Sequence, residues 1–153
     1  MGLDKRSPDE TRLDCFVGEW TNTGTVFPGP FGPGGPVTGN TSYRWDLANR
    51  WLLYVSRLEL PGLGSYEVRG GVTYNRQANR YDAYAINNLG SLLVYEGQWV
   101  DEATLVFTLV YPQPRSARVT YQRQPDGTTV MTSDRTSTDG SLETYFVTNL
   151  TRE

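Results

Sequence analysis

The sequence predicts an all-β fold: an antiparallel up-and-down β-barrel of about eight to ten strands with a short N-terminal helix. Three observations predict it. From residue 18 onward the chain alternates with a period of two and is rich in Tyr, Trp, Val and Thr. The alternating runs are broken at even spacing by turn chemistry: Ala48-Asn49-Arg50, the stretch from Asn75 to Asn79, Asn88-Leu89-Gly90, Asp101-Glu102, Pro125-Asp126-Gly127 and Thr138-Asp139-Gly140. Finally, Gly18-Glu19-Trp20 stands between a helical start and the first strand. Glycine there bends the chain without a Cβ clash, and Trp two residues on points to the same face and can plug one end of a barrel.

The elements follow in order. Ser7-Pro8-Asp9-Glu10 combines a Ser N-cap, Pro at the first helical position and acids in the first turn, so a short helix is predicted over 7–17. Leu13, Phe16 and Val17 give it an apolar side, and Cys15 is expected to be a buried helix residue. Strands are predicted over 18–26, 37–47, 51–60, 65–75, 80–88, 91–100, 103–111, 116–124, 128–137 and 141–152. Closing them into a barrel removes the exposed edges that so many strands would otherwise present. The segment 27–36, Phe27-Pro28-Gly29-Pro30-Phe31-Gly32-Pro33-Gly34-Gly35-Pro36, cannot be a central strand or a helix. It reads either as a mobile flap bringing Phe27 and Phe31 to a ligand or as a long first hairpin loop with two locally packed aromatics. The 153 residues are expected to form one domain spanning 1–153.

Composition excludes several classes of function. Charged residues make up 20 % of the chain, the net charge is −3, and the 14 basic residues are nearly all Arg and scattered, which argues against a nucleic-acid partner. Cys15 is the one cysteine, so no intrachain disulfide can form, and a reducing compartment fits. No apolar run approaches a membrane span, and Met1-Gly2-Leu3-Asp4-Lys5-Arg6 lacks the apolar stretch of a signal peptide; a cytoplasmic location and no membrane partner are expected. There is no histidine, which removes Ser-His-Asp and Cys-His catalysis, His-ligated zinc and proximal-His haem. No metal and no cofactor are expected.

Several motifs carry a resemblance. Gly18-x-Trp20, then Tyr43-Arg44-Trp45-Asp46-Leu47 with Asn49-Arg50-Trp51-Leu52, then Gly71-Val72-Thr73-Tyr74-Asn75, then Arg80 through Gly90, together resemble a bacterial domain-of-unknown-function family of lipocalin-like, calycin-type β-barrels. The resemblance spans most of the chain and implies the barrel rather than a function. It also implies a structural pairing at the closed end, in which Arg152 stacks on Trp20, and a structural role for Gly18. The chain departs from the family pattern where that pattern reads W-x-D, having Ala85 and Asn87, and where it reads Y-D, having Tyr74-Asn75. An inward Ala85 would open volume and Asn87 would remove a charge; either the pocket is retuned for a larger neutral guest, or a neighbour has filled the gap by drift. A related barrel family holds haem through a late histidine, which this chain lacks.

With 10 Tyr and 4 Trp, the cavity lining is expected to come from the aromatics Tyr43, Trp45, Tyr54, Tyr84, Tyr95, Trp99, Tyr111, Tyr121 and Tyr145. The expected ligand contacts are Trp45, Tyr54, Tyr84, Ala85, Asn87, Tyr95, Trp99, Tyr121, Phe27 and Phe31. In the strand 65–75, Tyr66, Val68, Gly70, Val72 and Tyr74 share one face and Glu67 and Arg69 the other, which is read as a solvated face, the alternative being a cavity ion pair. Catalytic candidates are Glu96, a general acid or base if buried beside a ligand, and Arg118. Two functions follow. One is a cup holding a small hydrophobic or aromatic molecule. The other is a metal- and cofactor-independent cyclase or isomerase of secondary-metabolite biosynthesis that folds a flexible substrate in the same cavity. A filled barrel serving only interaction, and a homodimer, are also compatible with the sequence.

Overall fold

In the computed structural model, which describes residues 5–29 and 32–153, ten antiparallel strands close into a barrel in which each strand pairs with its sequence neighbours and the last returns to the first. The strands are β1 (Gly18–Val26), β2 (Gly35–Asp46), β3 (Trp51–Leu60), β4 (Gly64–Asn75), β5 (Arg80–Asn87), β6 (Leu92–Trp99), β7 (Thr104–Tyr111), β8 (Ala117–Arg123), β9 (Thr129–Thr136) and β10 (Leu142–Arg152). The observed ends differ from the expected ones by a residue or two, because pairing rather than pattern decides where a strand stops. In β4 the inward set is Tyr66, Val68, Gly70 and Val72, while Glu67 and Arg69 form an outer-face ion pair at 3.0 Å.

The helix is shorter than the 7–17 expected. α1 (Pro8–Thr11) carries a complete capping box between Ser7 and Glu10, and the chain then tightens into a 3-10 segment, Arg12–Phe16. Cys15 is half-buried in that segment rather than fully buried. These two turns close one end of the barrel. Leu13, Phe16, Trp20, Leu52, Tyr81 and Leu105 pack there into one core. Trp20 is 1 % exposed, its indole N–H donates to the Phe16 carbonyl at 2.8 Å, and the Arg152 guanidinium lies 4.2 Å from its ring centre. Gly18 has φ +129°, and a Cβ at that position would sit 2.6 Å from an Arg152 nitrogen, so the turn into β1 requires glycine.

A buried carboxylate fastens this end. Glu10 is 2 % exposed and accepts from Ser7, Arg50 and Arg76. Burial acts to raise its pKa, but the hydrogen bonds from Arg76, Arg50 and Ser7 together outweigh it and hold the group at about 2. Because Arg50 follows β2 and Arg76 follows β4, one side chain of α1 ties two loops to the plug.

Among the described residues, no helix is long and apolar enough to cross a membrane.

Candidate functional site

The opposite end of the barrel is open. A cavity of about 570 Å³ runs from that mouth down to the aromatic plug. Its floor is Tyr43, Val72, Phe107, Tyr121 and Leu150, with the Phe16 ring beneath at 6.0 Å from Tyr43 and 5.7 Å from Tyr121. At the mouth, the loop after β1 contributes Phe27, the β3–β4 turn Leu63 and the β5–β6 turn Leu89. These three are 41 %, 47 % and 60 % exposed, so the rim presents apolar side chains to water.

Two features break the apolar wall. The first is a ladder of phenols. Tyr43 and Tyr54 meet at 5.4 Å with their rings tilted, and Tyr54, Tyr66, Tyr95 and Tyr121 also line the space. Burial pushes the Tyr43, Tyr54, Tyr95 and Tyr121 hydroxyls up from their ordinary value, so all stay protonated at physiological pH and act as neutral donors and acceptors. Gly70 makes room for one of them: a Cβ there would come within 2.7 Å of the Tyr54 hydroxyl. The second is a short polar seam, where Thr41 donates to Asn22 at 2.8 Å and shares a hydrogen bond with Ser56 at 2.8 Å, so that β1, β2 and β3 present hydroxyls and an amide to the cavity.

Of the residues expected to contact ligand, Tyr54, Ala85, Asn87, Tyr95, Tyr121 and Phe27 stand on the cavity wall. Ala85 faces inward on β5, 8 % exposed, and its small side chain leaves space in the cavity. Asn87 donates to the Tyr66 hydroxyl at 3.1 Å and accepts from the backbone N–H of Leu89 and Ser91, holding the β5–β6 turn as well as orienting a phenol. Phe31 lies outside the described residues.

The remaining expectations are corrected by geometry. Tyr84 contributes only its backbone to the wall; its ring turns outward and packs edge-on against Trp51 at 5.8 Å. Trp45 and Trp99 point inward but sit at the closed end, below the cavity. Trp45 donates to Asp14 at 2.7 Å under Arg6, and Trp99 donates to the Tyr81 hydroxyl at 3.1 Å under Arg12. Tyr111 is 53 % exposed, off the cavity wall. Glu96 and Arg118 have the wrong parity altogether. Pairing places Asp82, Glu96, Thr108, Arg118 and Asp134 in one row across the outer face of β5 to β9, where Arg80 meets Glu96 at 3.3 Å and Arg118 meets Asp134 at 3.1 Å. Neither lines the cavity.

The sequence reading missed the polar seam of Asn22, Thr41 and Ser56, and it missed Arg135. Thr and Ser in a period-two pattern look like solvent-facing positions, and only the opposing register shows that their faces turn inward. Tyr145, named among the lining aromatics, stands on the wall, and the β-bulge it makes hid Phe146 beside it. Phe146 pairs with Ser133 and Thr144 with Asp134, so Tyr145 is an extra residue and both Tyr145 and Phe146 reach the cavity.

Residues 6–152 match the family described as "Protein of unknown function (DUF1579)". A search of the curated proteins finds no match. Among solved structures, this chain is similar to Rv2717c from M. tuberculosis, with a TM-score of 0.73 and 13 % sequence identity over 97 % of this chain and 99 % of that one. At that identity the likeness speaks to the fold alone.

Proposed function

The chain belongs to the DUF1579 family, and on that premise we propose that it is a small-molecule-binding β-barrel holding a hydrophobic or aromatic ligand in its central cavity. The observation that carries this is the open cavity of about 570 Å³, a volume typical of small-molecule sites, with an aliphatic and aromatic wall and phenols spaced along it. A barrel serving only as an interaction module has no need of an unfilled interior, since barrels of this size can be packed with their own side chains. The exposed Phe27, Leu63 and Leu89 are an entry lip that a ligand's apolar body would cover. A reducing, cytoplasmic setting fits the single thiol of Cys15.

A second reading uses the same cavity for metal- and cofactor-independent cyclisation or isomerisation in secondary-metabolite biosynthesis. The neutral hydroxyls of Tyr54, Tyr95 and Tyr121 support it. They can donate to an oxygen that gains charge as a flexible substrate folds back on itself. No carboxylate lines the cavity among the described residues, so such chemistry would rest on conformation and hydrogen bonding rather than on a carboxylate base.

The experiment is native mass spectrometry of protein purified from its own host, paired with titration of a neutral apolar fluorophore, phenylnaphthylamine, into protein stripped of ligand. A retained small molecule, or micromolar fluorophore binding lost by at least about tenfold in Ala85→Trp, is the expected result. A retained molecule that converts to an isomer on incubation would move the cyclase reading ahead. Wild-type protein that carries nothing and binds no fluorophore would refute the cup.

A further inference from the structure

The polar seam on the cavity wall has a direction, and a backbone carbonyl sets it. Thr148 on β10 is 0 % exposed, and its hydroxyl donates to the Thr23 carbonyl, which can only accept. The Thr148 oxygen in turn accepts from the Asn22 amide at 3.4 Å, which turns Asn22 Oδ1 toward Thr41. Thr41 gives its one hydroxyl proton to that oxygen at 2.8 Å. The 2.8 Å bond between Thr41 and Ser56 therefore runs from Ser56 to Thr41, and Ser56 has no second proton to give. Asn22 and Thr41 are each 2 % exposed, so this order is shielded from solvent, whereas Ser56 is half-buried and lines the cavity. Ser56 Oγ thus meets the cavity with lone pairs alone. The wall toward the mouth has the opposite character. Asn87 Oδ1 accepts from the backbone N–H groups of Leu89 and Ser91, so its amide N–H goes to the Tyr66 oxygen at 3.1 Å and leaves the Tyr66 O–H able to donate to a guest. The neutral Tyr54 and Tyr95 hydroxyls can turn to give or to take.

Resting on the ligand-binding reading above, we propose that the ligand is a neutral alcohol or phenol whose hydroxyl donates to Ser56 Oγ while its apolar body lies among the phenols. The selectivity comes from Ser56 because its direction is fixed. The tyrosine hydroxyls along the wall suit a carbonyl, an ether or a hydroxyl equally, since each has a proton to offer. At Ser56 a ketone, ether or ester oxygen would set lone pairs against lone pairs, and a hydrocarbon would leave the acceptor without a partner once water is displaced. A carboxylate fails there for the same reason as an ether. An ammonium could donate, but no carboxylate lines the cavity among the described residues to balance its charge. A hydroxyl satisfies both requirements: its proton goes to Ser56, and its oxygen still accepts from a phenol that turns toward it. Ser56 lies halfway along β3, between Tyr54 and Leu58 on the inner face. The hydroxyl is therefore held at mid-depth, above the aromatic floor, rather than at the mouth.

The test compares 1-hydroxypyrene with 1-methoxypyrene, which share a fluorescent apolar body and differ in one O–H donor, at about pH 6, where the phenol stays neutral. The readout is the ratio of the two affinities in wild type, Ser56→Ala, Thr41→Val and Tyr66→Phe. In wild type the hydroxyl probe binds at least about tenfold more tightly than the ether. Ser56→Ala brings the ratio to one or below by weakening the hydroxyl probe. Thr41→Val releases the Ser56 proton, so the ether gains affinity and the ratio falls while the hydroxyl probe still binds. Tyr66→Phe removes a donor rather than an acceptor and leaves the ratio in place. A wild-type ratio near one with tight binding of both probes would overturn the hydroxyl assignment and leave the cup standing. A ratio that survives Ser56→Ala would overturn the role of this residue. Failure of both probes to bind wild type would overturn the cup and this proposal together.

Discussion

Substituting Glu10 by Gln tests the closed end of the barrel, and its cost can be worked from the folded-state pKa. The carboxylate is held at about 2 against an ordinary 4.5, a difference of about 2.5 units, and each unit is about 1.4 kcal/mol. That gives about 3 kcal/mol at neutral pH. Arg76 is half exposed, with 49 % of its side chain open to water against 3 % for Glu10, so solvent screens part of its share and about 2–3 kcal/mol is the better figure. The sign follows from the direction of the shift. The folded-state pKa is depressed, so the stabilisation is fully present above about 4.5 and is lost as pH falls through about 2. Urea denaturation of wild type and Glu10→Gln at pH 7, 3.5 and 2 should therefore show a gap of about 2–3 kcal/mol at neutral pH, narrowing at pH 3.5 and nearly closed at pH 2. The substitution keeps the side chain's length and some hydrogen bonding, so the pH-dependent part of the gap isolates the charge. A gap that is the same at all three pH values, or one below about 1 kcal/mol at pH 7, would refute the account of Glu10 as the fastener of the plug.

Three further outcomes are expected. Trp20→Ala should cost about 3–5 kcal/mol in chemical denaturation, because it empties the centre of the plug and strands the Arg152 guanidinium beside it. Ala85→Trp should abolish phenylnaphthylamine binding while the melting temperature stays within a few degrees of wild type, since the new ring enters cavity space rather than packed core. Glu96→Gln and Arg118→Gln should leave both probe affinity and any turnover unchanged, because both ion pairs lie on the outer face, away from the cavity; a loss of binding in either would mean that the outer row communicates with the cavity.

The period-two pattern and the turn residues determined the barrel by themselves. Both are local: alternation records which face of each strand is buried, and Gly, Asn and Asp record where the backbone must reverse. The Gly18-Glu19-Trp20 motif was legible for the same reason, since a residue in the left-handed φ region and a buried indole leave a mark at single positions, whereas its partner Arg152 came only from the family resemblance. The sequence could say that an inward Ala85 would open volume but not which face of a strand looks inward; the pairing of β3, β4 and β5 turned Tyr54 and Ala85 to the cavity.

What parity cannot carry is height along the barrel axis and register between strands. Trp45 and Trp99 have the inward parity expected of lining residues, yet they come at the closed-end tips of β2 and β6, where the N-terminal turns cover them. Glu96 and Arg118 looked like chemistry inside apolar strands, and only the pairing of β5 to β9 shows that their row faces water. The same is true of Arg135. Nothing in Val130-Met131-Thr132-Ser133-Asp134-Arg135 says that its arginine faces the cavity while the neighbouring aspartate faces out, until pairing with β8 puts Asp134 in the outer row beside Arg118. Local sequence determined that the chain would close into a barrel. The tertiary structure alone decided which charge stands at its mouth, because that depends on hydrogen-bond register between segments the sequence keeps apart.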